Sequence, residues 1–392
     1  VLVLDCYYRG AVGVLRALDP AYELFGATAE RPARSIPFER VLRSPRLRAI
    51  FTYPDPLSTP DGFRQALMEI CRRHELDAVL PVSSSTLACA VAALADEVRG
   101  ELSTVFAVEE RDKLARLADK RQTYELCREL EIPTPRTVVP DGCEAGDLDG
   151  LRFPVVAKPR LAEGSHGIVF LSTAEELAEL LRDPPAAAGN LVDGHPYVLQ
   201  EYVPGQLHDV CACAQDGRPV SLLTQRRWVT AYSFGGPGVV NQTTHEPVIA
   251  ELARRLLTRL RWNGPLLIDF VRDEHGRFLL LECNPRIWGM VDLTLRAGLN
   301  VAQQAIDVLV LGKEVEPVLQ YPVGLTYKWL SPDVLARGAL RSGGPNMQAA
   351  PVAATRPTIG AVCRRRPPGP TITNLRRGDF LHLLGMRLRH AS

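Results

Sequence analysis

The strongest constraint on this chain is a pair of carboxylates, Asp269 and Glu282, set into apolar strands. Asp269 falls near the end of the run Leu266-Leu267-Ile268-Asp269-Phe270. The turn Asp273-Glu274-His275-Gly276 follows, and Phe278–Leu281 leads back to Glu282. A hairpin of this length returns the chain beside its start, so both carboxylates can face one site. Acids in such strands are costly to bury unless a cation or hydrogen bonds meet them. Asn284, two residues past Glu282 in an extended segment, points to the same side and adds a neutral oxygen. Two carboxylates and an amide oxygen suit Mg2+, a hard cation that prefers oxygen and keeps waters or phosphates as its other ligands.

The rest of the chain divides where its periodicity changes. Its 392 residues exceed one ordinary core and imply two or three packed units. Residues 1–100 alternate strand and helix. Val1–Asp5 and Asp77–Val82 read as buried strands, with helices at Ala11–Leu18, Pro60–His74 and Thr86–Val98. Strands separated by helices imply a parallel sheet whose ligands lie beyond the strands' carboxyl ends. Two such ends, Cys6–Gly10 and Ser83–Ser85, are candidate substrate walls, although serines after a strand also serve simply as helix N-caps. Glu109–Leu130 reads as one helix, stopped by Ile132-Pro133-Thr134-Pro135.

From Arg136 strands dominate, at Phe153–Lys158, Gly167–Leu171, Pro196–Tyr202, Val210–Ala214, Pro219–Leu223, Leu266–Val271 and Phe278–Glu282. Gly-containing turns such as Asp216-Gly217 imply antiparallel pairs. Helices fall at Thr173–Leu181, Pro247–Leu260 and Asn300–Leu311. The expected fold class is α/β followed by α+β, a doubly wound parallel domain and then mixed layers. The carboxyl-terminal stretch, with Gly343-Gly344-Pro345 and Pro367-Pro368-Gly369-Pro370, has no periodicity beyond a short helix near Asp379–Leu388. Its Arg364-Arg365-Arg366 triplet reads as an exposed loop or an anion patch.

Composition removes several function classes. Lys and Arg number 46 against 45 Asp and Glu, a formal net charge of +1, whereas nucleic-acid binders concentrate positive charge. No apolar run reaches the roughly 18 residues of a membrane span. The opening VLVLDCYYRG lacks the basic region and small-residue cleavage site of a secretory signal. Nine cysteines include no C-x-x-C pair, and Cys211 and Cys213 share one side of a strand. They read as reduced thiols in a cytoplasmic protein.

Three further segments carry chemistry. Lys158 ends an apolar strand, and the loop Glu163-Gly164-Ser165-His166-Gly167 lies just beyond it. Glycines free backbone N–H groups to approach phosphate oxygens, and the ammonium adds point charge. Gln200-Glu201-Tyr202-Val203-Pro204-Gly205 ends another strand, where an acid beside free backbone can hydrogen-bond an adenine edge. Gln225-Arg226-Arg227-Trp228 precedes the Gly-rich Phe234-Gly235-Gly236-Pro237-Gly238, and guanidinium forks grip carboxylates bidentately. Arg226 or Arg227 therefore either orients an acid substrate or belongs to a solvated pair. Trp288 either walls the same pocket or is core.

The order of these pieces resembles the ATP-grasp superfamily: Ala118-Asp119-Lys120, Pro154–Leu171, Leu199–Gly205, then Leu266–Gly289 with its Glu-x-Asn-Pro-Arg. The likeness runs from about Val1 to Lys313 and extends to the biotin-carboxylase-like and carboxylate–amine ligase members. It implies an amino-terminal α/β domain over 1–110 and a small ATP-grasp subdomain over 111–200. A large subdomain with the metal site follows over 201–325, and an irregular extension over 326–392. It implies that Lys120 and Lys158 contact ATP phosphates, with Gly164, Ser165, His166 and Gly167 closing over them. Glu201, Tyr202 and the Val203 backbone would hold adenine, with His208 or Asp209 at the ribose. Asp269, Glu282 and Asn284 would bind one or two Mg2+ ions, with Mn2+ as a substitute, and Arg286 would lie at the γ-phosphate.

The activity so implied is ATP-dependent joining of a small carboxylic acid to an amine, amino acids among them, through an acyl phosphate. Two other readings stand beside it: activation of bicarbonate or another carboxyl-like acceptor, and a nucleotide-binding module without chemistry. Dimers are common among proteins of this resemblance, so a homodimer is among the expectations.

Overall fold

The structure is a computed structural model that describes residues 1–30, 44–82, 84–140, 148, 150–162, 165, 167–183, 195–232, 235–330, 362, 365 and 367–374. Its first layer is a parallel sheet built from β1 (Leu2–Leu4), β2 (Leu24–Ala29), β3 (Leu47–Tyr53), β4 (Ala78–Leu80) and β5 (Val105–Phe106), in the order β3-β2-β1-β4-β5. Helices α1 (Arg9–Ala17), α2 (Pro60–Arg73) and α3 (Ser85–Glu97) accompany it. The strand order reverses between β1 and β4, and the crevice outside such a switch point is where parallel sheets receive ligands. The segments after those two strands are the two candidate walls read from the sequence. Ser84 caps α3 by accepting from Leu87 N, so the N-cap role of this serine run is real.

Three strands of this sheet escape the sequence reading: β2, β3 and β5. β2 is buried on both faces and includes Gly26, so it shows no alternation. β5 has two residues.

The Glu109–Leu130 segment forms two helices rather than one, α4 (Arg111–Ala118) and α5 (Lys120–Glu129). Asp119 breaks them apart. Its backbone is extended, its side chain accepts from Arg121 N at 2.9 Å as the N-cap of α5, and its carboxylate pairs with Arg160 at 2.5 Å. An Asp without Gly or Pro beside it leaves little trace in a helical pattern, yet it offers the backbone an alternative to continuing the helix. The break turns Lys120 into the first position of a new helix.

A four-stranded sheet follows, with β6 (Thr137–Val138), β7 (Val155–Pro159), β8 (Val169–Leu171) and β9 (Tyr197–Glu201) in the order β6-β9-β7-β8 and α6 (Ala174–Arg182) after β8. The third sheet has seven strands: β10 (Gln206–Gln215), β11 (Arg218–Tyr232), β12 (Gly235–Thr244), β13 (Gly264–Arg272), β14 (Phe278–Asn284), β15 (Thr326–Lys328) and β16 (Thr371–Thr373), ordered β14-β13-β10-β11-β12-β15-β16. Its helices are α7 (Pro247–Leu260), α8 (Val291–Arg296) and α9 (Val301–Leu309).

Period-two alternation splits this sheet into two packed faces. Val210, Ala212, Leu266, Ile268 and Phe270 join α7 in one core. Cys211, Cys213, Leu223 and Leu267 join residues of α1, α8 and α9 in another. The two cysteines thus share a side, as the spacing predicts. Cys143 and Cys363 lie outside the described residues, and the other seven are free thiols. The Gln225–Trp228 segment, read as leading into a loop, continues a 15-residue strand. No helix among the described residues is long and apolar enough to cross a membrane.

The carboxyl-terminal stretch departs from the irregular extension expected of it. β15 adds to β12, and β16 lies parallel to β15. Leu330 N donates to Asn374 Oδ1 at 2.7 Å, Asn374 Nδ2 returns a bond to Leu330 O at 3.0 Å, and Arg16 donates to Asn374 O. The helix expected near Asp379–Leu388 and the Arg364 and Arg366 positions lie outside the described residues. Deleting the chain after Ser342 removes β16 and these bonds. At about 1 kcal/mol net per hydrogen bond, a loss of roughly 2–4 kcal/mol is expected. Thermal unfolding reads it, and an unchanged midpoint would show that the returning strand adds nothing.

Candidate active site

Hairpin register sets the centre of the site. Asp269 on β13 sits directly opposite Glu282 on β14, and Asp209 on β10 sits directly opposite Asp269 on its other side. Gln225 of β11 continues the row beside Asp209. Three carboxylates therefore occupy neighbouring strands on one face, where like charges side by side are destabilising.

Arg227 answers that repulsion. Its guanidinium reaches Asp209 Oδ1 at 2.5 Å and Asp269 Oδ2 at 2.6 Å, and donates to Gly236 O at 3.0 Å. Gln225 donates to Asp209 Oδ2 at 2.7 Å. The Arg227 fork is thus committed within the protein. Arg226 turns to the other face of the sheet, donates to Gln242 Oε1 at 2.8 Å and lies 4.0 Å above the Trp228 ring. The structure does not bring Arg226 to the acid row.

Asp269 Oδ1 is buried and has no hydrogen-bond partner. Burial, with Asp209 and Glu282 nearby, raises the Asp269 pKa to about 8 against the pull of Arg227. Burial also opposes the Glu282 charge, but Lys120 and Lys158 outweigh it and hold that acid below the ordinary carboxylate range. Asn284 donates to Glu282 Oε1 at 3.3 Å, and its own Oδ1 accepts from Arg286 at 2.9 Å. An orphaned carboxylate oxygen beside a second carboxylate fits a hard divalent cation of the Mg2+ type, whereas the Asn284 oxygen is turned to Arg286 and its amide nitrogen to Glu282. Among the described residues, no three His, Cys, Asp or Glu side chains form a complete metal cage. Phosphate and water oxygens would complete the coordination of Mg2+ here.

The lysines approach from other layers. Lys120, at the start of α5, stands 3.7 Å from Glu282 Oε2 and donates to Ala162 O. Tyr124, one turn further on, donates to Leu281 O at 2.5 Å and docks α5 on β14. Lys158, on β7, donates to Gln200 Oε1 at 2.5 Å, and Gln200 donates onward to Thr137. Burial lowers the Lys158 ammonium to about 8; Glu282 favours its charge and Lys120 opposes it.

The other sequence candidates fall into separate places. Glu201 is buried and accepts three bonds from Arg152, at 2.8 to 3.1 Å, which hold its pKa down against burial. Tyr202 packs edge-on against Phe170, and Val203 lies in the link between the four-stranded and seven-stranded sheets. His208 faces away from the row and meets Phe278 edge-on, where burial lowers it to about 4. Its neighbour Asp209 belongs to the row itself. Trp288 is core between α1 and the large sheet. Ser165 and Gly167 both adopt positive φ, while Glu163, Gly164 and His166 lie outside the described residues. The sequence reading missed the Arg227 clamp, the Gln200 support and the Asp119–Arg160 pair, each of which depends on contacts between distant segments.

Residues 117–290 match the sequence model of the ATP-grasp domain. The matched span includes Lys120, Lys158, Asp209, Arg227, Asp269, Glu282 and Arg286. The D-alanine–D-alanine ligase of Pseudomonas entomophila (strain L48) is 25% identical over 211 residues, which are 49% of this chain and 63% of that protein. The arginine-specific carbamoyl phosphate synthase large chain of Bacillus subtilis (strain 168) is 23% identical over 227 residues, 54% of this chain and 21% of its own length. The chain therefore spans less than two thirds of either relative. The biotin carboxylase domain of the 2-oxoglutarate carboxylase of Hydrogenobacter thermophilus, a dimer in complex with MgADP, ADP and bicarbonate, superposes with a TM-score of 0.64. Its identity is 13%, and the match covers 83% of this chain and 72% of that one. At that identity the likeness shows a shared fold.

The lowered Lys158 gives a pH test of phosphate contact. Its ammonium is present below about pH 8 and lost above it, so MgADP affinity should fall as pH rises through 8, by up to about tenfold per unit. Lys158→Arg stays charged throughout and should flatten the profile. Calorimetric titration across this range checks both, and a flat wild-type curve would place the phosphate contact elsewhere.

Proposed function

We propose that this protein is an ATP-dependent ligase that joins a small carboxylic acid to an amine through an acyl phosphate, releasing ADP and phosphate. The observation that carries this reading is the unpaired Asp269 oxygen in a row with Glu282, with Lys120 and Lys158 close to that row. The similarity to a D-alanine–D-alanine ligase over half of the chain supports carboxylate–amine joining as the reaction class.

Phosphoryl transfer needs placement and charge neutralisation more than covalent help. ATP brings several negative charges toward an anionic acid, and repulsion opposes their approach. Lys120, which stands beside Glu282, and Lys158 oppose that charge, and Arg286, held by Asn284 two residues past Glu282, adds to them. Asp269 and Glu282, with Asn284 beside them, would hold Mg2+, and the cation would supply further charge neutralisation when bound. Asn284 holds Arg286 in position through its amide oxygen, so the same residue serves the metal side and the guanidinium. Glu201 and the Tyr202–Val203 backbone lie at the strand end that receives adenine in this reading, which leaves the γ-phosphate nearest Arg286. The acyl phosphate must be kept from water until the amine attacks.

Two results test the proposal. A complete reaction followed by phosphorus NMR should give ADP and phosphate in step with amide, without AMP; pyrophosphate and AMP as main products would overturn it. Glu282→Gln keeps the side chain's size and removes one charge from the row. Turnover should fall at least about a hundredfold while circular dichroism stays native. Wild-type turnover in a folded variant would remove the acid pair from the mechanism.

A further inference from the structure

Arg9 is a cation that the reactions above do not use. It opens α1 at the carboxyl end of β1, beside the switch point of the parallel sheet. Its guanidinium crosses to the large ATP-grasp sheet and donates to Gly238 O at 2.9 Å. Arg227 donates to Gly236 O, two residues earlier on the same strand, so the two guanidinium groups are neighbours. Among the described residues Arg9 hydrogen-bonds Gly238 and Tyr8, and no Asp or Glu pairs with it. Burial and the nearby Arg227 both work against its charge, with burial the larger. Arg227 in the same neighbourhood has two carboxylates; Arg9 has none.

The surroundings are shaped to admit this side chain. A methyl group on Gly289 would run into Arg9 Nε, so the guanidinium lies directly against the backbone three residues past Arg286. A Cβ on Gly10 would stand 2.9 Å from Trp288 O, and one on Gly13 would stand 2.7 Å from Val291 Cγ1. These two glycines let α1 press against the segment that follows the Glu-x-Asn-Pro-Arg motif. The Arg9 backbone is thereby fixed to the same frame as Arg286.

We infer that Arg9 is the anchor for a substrate carboxylate, contributed by the amino-terminal domain to the ATP-grasp site. A guanidinium offers five N–H donors in a planar fork, and the Gly238 carbonyl and Tyr8 leave donors for a bidentate acid. A phosphate is the other anion that could sit here, but Lys120, Lys158 and Arg286 already serve the nucleotide. The substrate acid therefore docks from the parallel-sheet side, between the β1–α1 turn and Gly289. The inference rests on the acid-activating reading of the site.

The test uses the full chain with MgADP present and a panel of amino acids and small mono- and dicarboxylates, each beside its carboxamide. Thermal shift followed by calorimetry should find acids that bind the wild type while their carboxamides do not. Arg9→Gln keeps a donor for Gly238 and should weaken that acid roughly ten- to hundredfold, with MgADP affinity unchanged. Arg9→Lys should recover part of the loss, and it serves alone if the Gln variant does not fold. Acid affinity unchanged in the variants, a wild type blind to the difference between acid and carboxamide, or a loss of MgADP affinity alone would overturn the assignment. A wild type that binds the acid through Arg9 yet forms no ADP from ATP and an amine would instead sink the ligase reading and leave the anchor standing.

Discussion

The buried pair of ion contacts made by Arg227 is the interaction on which the site depends. Asp209, Asp269 and Glu282 are cross-strand neighbours, and at that spacing carboxylates in a buried layer do not all stay charged. Arg227 neutralises two of them at once. Breaking a buried arrangement of this kind by removing one partner typically costs about 3–5 kcal/mol, because it leaves charge uncompensated. The clamp also selects which oxygen is available. With Asp269 Oδ2 taken by Arg227, the unpaired Oδ1 is left for a cation, and burial beside Asp209 and Glu282 raises the Asp269 pKa.

That row is polar because of where it lies along the strands. On β10 and β13 the same face carries Cys213, Cys211 and Leu267 before it reaches Asp209 and Asp269. The first part is covered by α1 and α9, with Ser221 of β11 bonded to Gln304 of α9 at 2.5 Å. The acids begin where the helices end. A continuous apolar face would have been covered completely, and an acid placed two residues earlier would have been buried under α9 without a cation. The amino-terminal domain is thus a part of the site's construction, since α1 both seals the apolar half and brings Arg9 to the edge of the polar half.

How much of this was legible in the sequence follows from how local each feature is. Asp269 opposite Glu282 is fixed by one hairpin, so a short stretch of chain implies the juxtaposition. The sharing of one face by Cys211 and Cys213 follows from strand parity alone. Asp209 opposite Asp269 is different: it requires the register of two strands about sixty residues apart, with a bulge at Cys213/Ala214 shifting the next pairing. The break at Asp119 was illegible because the residues around it are ordinary helix formers, and its cause, Arg160, lies 41 positions away. β16 pairs with β15 across a long stretch outside the described residues, and no local pattern marks a three-residue strand.

The division of charge between layers carries a physical consequence for the free protein. The acids sit on the large sheet, Lys158 on the small one, and Lys120 on the helix between them. Separated, the large sheet would hold three carboxylates against one guanidinium clamp, and Lys158 and Lys120 would each lose Glu282 as a counter-charge. Docked, Lys120 approaches Glu282 to 3.7 Å, and Lys158 keeps its charge at neutral pH partly through the same acid. The cluster is therefore held together by mutual neutralisation in the free protein. In the proposed function a polyphosphate entering the cleft would compete with Glu282 for both lysines, and a divalent cation entering with it would compensate the acid they leave. On that reading nucleotide and metal binding would be coupled, because either one alone would strand a buried charge of the opposite sign.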